Sequence, residues 1–99
     1  MMNAKEYLPV GSVVFLKNGI KKAVIVGIMQ GMLDKEKKMT EYDYIGVFYP
    51  EGFLSTETMF MFNHDSITDV IFRGYENSER TDFLDKLDRN REKAAELKL

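Results

Sequence analysis

The single histidine, His64, stands in "FNHDS" beside Asp65. An imidazole next to a carboxylate is a pairing that can orient a general base. The chain has no cysteine, and Ser12, Ser55, Ser66 and Ser78 stand in no recognisable nucleophile motif. A lone histidine at a cap is more often structural or solvated, and that reading is preferred to catalysis. A metal would have to gather His64, Asp65 and Asp69. Asp69 is expected to open a strand rather than turn back on Asp65, so no metal site is expected. The segment "DKEKKMTE" lacks the oxygen-ligand spacing and glycine of a calcium loop. The glycines of "GSVVFLKNG" and "GIMQG" make neither a P-loop nor a dinucleotide fingerprint. No cofactor is expected.

The aromatic residues are the one surplus. Tyr42, Tyr44, Phe48, Tyr49 and Phe53 crowd "YDYIGVFYPEGF", and aromatic rows on small barrels can stack single-stranded bases. The formal net charge of -2 and a pI near 5.4 oppose a protein that gathers phosphates by a general field. Core packing, with tyrosine hydroxyls reaching the rim, is the preferred reading. Lys35, Lys37 and Lys38 are interleaved with Asp34, Glu36 and Glu41, which weakens them as a phosphate patch. Met59 and Met61 read as core filler. Met32 and Met39, in the charged connection, read as exposed contacts for a protein partner.

These side chains must be held by a small scaffold. Ninety-nine residues fit one domain, 1–99. Two β-rich runs joined by Asn18-Gly19 predict a hairpin with strands at about 12–17 and 20–29, through a type I′ turn with positive φ at both central residues. Both strands are apolar on both faces, so the sheet should be coiled or covered. Gly27 marks a bulge or bend. Residues 30–41 read as a solvated loop. Further strands are expected at about 42–49, 57–62 and 69–73, with Pro50 and Gly52 ending the third and a single helical turn at 63–67. From Asn77 the period changes to that of a helix over about 78–97. Phe83, Leu84, Leu87, Ala94, Ala95 and Leu97 form its thin stripe.

The fold class is therefore α+β. A small coiled antiparallel sheet of about five strands, either an SH3-like barrel or an open sheet, fills about 8–75 and precedes the C-terminal helix. No signal segment is legible at the start, and no apolar run is long enough to span a membrane. A cytoplasmic protein is expected.

Three stretches, "LPVGSVV", "YDYIG" followed by "YPEG", and "FNHDSITDVIFRGY", together resemble the small bacterial family catalogued as domain of unknown function 4176. The resemblance runs from about Tyr7 to Tyr75. It implies a small cytoplasmic protein of Gram-positive bacteria, often encoded near type VII secretion components, WXG100-like proteins and toxins with an LXG export domain. It supplies no catalytic residues.

The expected function is a non-enzymatic protein-binding accessory module, a chaperone or adaptor for a type VII secretion effector. Contacts are expected from the helix face Phe83, Leu84 and Leu87, or from an edge strand beside Met32 and Met39, by helix docking or strand addition. A homodimer is left open. The alternative is a small-barrel binder of single-stranded nucleic acid using Tyr42, Tyr44 and Tyr49 with nearby lysines.

Overall fold

The computed structural model describes residues 2–97, with side chains for residues 2–91. Ala94, Ala95 and Leu97 of the predicted stripe lie outside the described side chains. The chain divides into two compact units. One is the sheet unit, Leu8–Tyr75. The other joins Met1–Tyr7 to Glu76–Leu99.

The sheet unit holds β1 (Val13–Leu16), β2 (Lys22–Leu33), β3 (Met39–Tyr49), β4 (Phe60–Phe62) and β5 (Ile67–Phe72). All pair antiparallel, in the order β4-β3-β2-β1-β5. No ladder joins β4 to β5, so the sheet is open. Yet Ile67 follows Phe62 by five residues, at most about 17 Å of extended chain. A flat five-stranded sheet would set its outer strands about 19 Å apart. Three of the connecting residues, His64–Ser66, are wound into a 3-10 turn, which shortens the step further. The sheet must therefore coil to bring its two edges toward each other.

Pairing register fixes which side chains share a face. Val14, Ala23, Ile25, Tyr44 and Phe62 fall on one face and are all buried. The opposite face carries Val13, Phe15, Val24 and Ile45, all half-buried, beside the buried Val47. There the Lys22 ammonium sits 5.2 Å from the centre of the Phe15 ring. One extra residue, Val26, lies between Ile25 and Gly27 in the β2–β3 register. This is the bulge that Gly27 announces.

Two turns differ from their sequence reading. Asn18 has φ 61, but it is the only left-handed residue of its turn, and Gly19 N–H bonds to Leu16 O at 3.0 Å. The connection is thus a longer loop, 17–21, and no type I′ turn forms. Residues 30–41 are not a loop. β2 runs on to Leu33 and β3 starts at Met39, leaving a five-residue turn. Asp34 organises it: its Oδ1 accepts from the Glu36 and Lys38 N–H groups, each at 2.9 Å, and Lys37 takes φ 64. Charged residues in this segment cap a ribbon instead of dissolving it. Near the other end of β3, Lys21 pairs with Glu51. Their hydrogen bond holds the Glu51 carboxyl below its ordinary range.

Within the ribbon, a Cβ built on Gly31 would meet only the Met39 side chain, with Sδ at 2.7 Å. A thioether can swing aside. Gly31→Ala is expected to change stability by no more than about 1 kcal/mol, because removing a strand glycine offsets the displaced methionine. A urea midpoint moved by much more would show that Met39 is locked in place.

In the second unit, a 3-10 turn at Ala4–Glu6 accompanies the helix α1, Ser78–Leu97. Asn77 caps α1: its Oδ1 accepts from Arg80 N–H at 3.0 Å. No described helix is long and apolar enough to cross a membrane.

Candidate functional site

His64 is exposed, and its partners differ from the predicted neighbour pair. Its Nδ1 lies 2.7 Å from the Tyr44 hydroxyl, and its backbone N–H donates to Asp43 Oδ2 at 2.8 Å. Asp65 takes no part in these bonds. The Tyr44 ring is fully buried, and its oxygen accepts from Leu8 N–H at 2.9 Å. Which of the two groups donates in the Tyr44–His64 bond follows the imidazole tautomer. Asn63 completes the corner by accepting from Asp43 N–H at 3.1 Å.

The register explains the meeting. Tyr44 lies opposite Phe62, so the residues just past β4 come back across β3. The rings continue the link, with Tyr44 to Phe62 at 5.4 Å and Tyr44 to His64 at 5.8 Å. Both are in the range of favourable aromatic pairs.

A second junction joins the start of the sheet unit to its end. Pro9 to Ser12 form a turn, with Ser12 N–H to Pro9 O at 3.1 Å and Gly11 at φ 93. Ser12 is wholly buried, and its Oγ accepts from Gly74 N–H at 2.9 Å. "LPVGS", "YDY", "FNH" and "FRGY" are therefore bound together. Leu8 and Ser12 of the first reach Tyr44 and Gly74, and Tyr44 and Asp43 reach His64. These motif residues make a structural seam. The Tyr44 hydroxyl is enclosed and engaged, so it is not presented to a substrate.

The aromatic platform does not assemble. Tyr44 is buried, while Tyr42 and Tyr49 stand on opposite faces of β3 by their odd spacing. Among the described residues, no three of His, Cys, Asp and Glu gather to hold a metal ion. Met32 and Met39 are more than half exposed, but they lie in strands and not in a loop. Met32 pairs with Thr40 and Met39 with Leu33, which puts the two methionines on opposite faces of the ribbon. On α1, Phe83 is exposed, Leu87 half-buried and Leu84 buried. Sequence reasoning missed Leu33, which is 63 % exposed at the ribbon tip. It also missed the Tyr44–His64 bond. Only the strand register, which brings two distant segments together, could have signalled that bond.

The fold and its motif seam define a small antiparallel α+β domain with a projecting two-stranded ribbon. The family model described as domain of unknown function (DUF4176) matches residues 7–83, and the chain belongs to that family. No curated protein and no solved structure matches the chain.

Proposed function

We propose that this protein is a non-enzymatic binding module, an accessory chaperone or adaptor for a type VII secretion effector. The observation that carries the reading is the ribbon. Beyond Val26 on β2 and before Tyr44 on β3, it pairs with no other strand. Its tip holds Met32, Leu33 and Met39, each more than half exposed. Two-stranded ribbons are marginal by themselves, and here Leu33 and Met39 on one face and Met32 on the other leave exposed apolar surface for a partner to cover. The effector is named on the strength of the family resemblance alone.

Both outer strands of the sheet are poorly suited to strand addition. β4 has three residues, and β5 meets β1 with two register irregularities. Short and bulged edges discourage pairing. The ribbon faces are the better surface.

The test is co-expression with an effector that carries an LXG export domain, followed by size-exclusion chromatography. A stable complex is expected, and Met32→Asp with Leu33→Asp should abolish it while leaving the thermal midpoint nearly unchanged. Failure to co-elute with any such effector overturns the reading.

A further inference from the structure

The predicted docking face of α1 is occupied in part: Leu84 is buried, while Phe83 stays exposed. Ala4 N–H donates to Asp88 Oδ1 at 3.0 Å, Lys5 Nζ lies 3.2 Å from Asp85 Oδ1, and Arg80 Nη2 donates to Tyr7 O at 2.9 Å. Ala4, Tyr7 and Leu84 are all buried. Ala4, Lys5 and Tyr7 thus lie along the first three turns of the helix. Each contact is of a kind that a segment from another chain could reproduce: a small residue with a free N–H, a lysine directly after it, and a carbonyl for the guanidinium.

We propose that residues 3–7 form a displaceable strap, which closes this helix face until a partner segment of the same chemistry takes its place. The proposal rests on the protein-binding reading and deepens it by naming a second contact surface and what that surface accepts. Part of the strap's hold is weak. The Lys5–Asp85 pair is well exposed on both sides, and such pairs add little. Its turn is a single 3-10 turn of three residues, which has no helical cooperativity of its own. The sheet unit keeps a separate core around Val14, Ile25 and Tyr44, so the strap can open as a local unit. Opening uncovers a mixed surface, with Leu84 flanked by Arg80, Asp85 and Asp88, the last paired with Arg91 at 3.6 Å. On it Asp85 favours a lysine at the place of Lys5 and disfavours an acid there.

Two measurements on the full chain test this. In native-state hydrogen exchange, the Ala4 amide is expected to exchange through an opening that leaves Ile25 N–H, bonded to Ser12 O, protected by at least about 100-fold more. Exchange of both amides together would make the strap a fixed part of the fold and overturn the proposal. In the second, an acetylated synthetic peptide with the sequence of residues 3–9 is titrated into three chains. The wild type should bind it weakly, because its own strap competes at an effective concentration in the millimolar range. Ala4→Asp sets a carboxylate against Asp88 and should tighten peptide binding by about tenfold or more. Lys5→Glu is a milder variant that covers a folding failure of the first; it should tighten binding by about threefold. A peptide with glutamate in place of its lysine should not bind. Equal affinity for wild type and Lys5→Glu, or no binding to any chain, overturns the strap. Neither measurement uses an effector, so its outcome is separate from that of the co-expression test.

Discussion

Gly74→Ala is expected to destabilise the protein by about 3 kcal/mol, near the upper range for overpacking a filled site. In a domain of this size that corresponds to a fall in Tm of roughly 15 °C. The reason is the nature of the obstruction. A Cβ on Gly74 would sit 2.4 Å from Val10 O, 3.0 Å from Ser12 N and 3.1 Å from Val10 C. All three are backbone atoms of a turn that is itself tied down. Gly11 N–H bonds to Ile25 O at 2.7 Å, and Ile25 N–H bonds to Ser12 O at 2.9 Å. The methyl can be accommodated only by pushing the turn off β2 or by withdrawing Gly74 from Ser12 Oγ. Withdrawal strands a buried hydroxyl and an amide, which costs about 1–3 kcal/mol per unsatisfied group. The same substitution at Gly31 meets only a flexible sulfur. Differential scanning calorimetry on the two variants gives the contrast directly. Equal small shifts would mean that the Val10–Ser12 turn yields freely and that the seam is not rigid.

The main elements are readable from residue order. Local pattern carries α1, since the change of period after Asn77 and the cap there both lie within a few residues. It also carries the core of β3 and its end at Pro50, because alternation and a missing N–H are local facts. It fails for the ribbon. "DKEKK" and "MTE" are polar enough to read as solvent-facing loop, and both strands are exposed there. The pairing continues because each strand has the other as partner, and Asp34 folds its carboxylate into the turn. The β4 strand fails in the opposite direction. Its expected start at 57 is replaced by a 3-10 turn at Thr56–Thr58, where Ser55 O accepts bonds from Thr58 N–H and the Thr58 hydroxyl. Threonine has strand propensity, yet its hydroxyl here serves a local turn. The candidate site was legible only as a set of motifs. That His64 belongs to Tyr44 rather than to Asp65 depends on the β3–β4 register, which no local rule fixes.

Tyr44→Phe is expected to remove about 2 kcal/mol while leaving the fold intact. The ring keeps its burial and its contacts with Phe62 and His64. What disappears is one oxygen that accepts from the buried Leu8 N–H and bonds His64 Nδ1. A buried N–H left without its acceptor costs about 1–3 kcal/mol. The His64 bond adds less, because the imidazole is exposed and can turn to water. A double-mutant cycle separates the two. His64→Ala alone should cost about 1 kcal/mol, and in the Tyr44→Phe background it should cost measurably less, with a coupling of about 0.5–1 kcal/mol. Urea midpoints at constant m give all four corners of the cycle. Asp43→Asn provides the internal control. It weakens the charge-assisted bond to His64 N–H without touching the phenol, so its effect should survive in Tyr44→Phe largely unchanged. If Tyr44→Phe proves neutral, Leu8 N–H finds another acceptor and the seam is held by packing alone. If the cycle shows no coupling, the imidazole is only a neighbour of the phenol, and the exposed histidine is left available for contacts outside the seam.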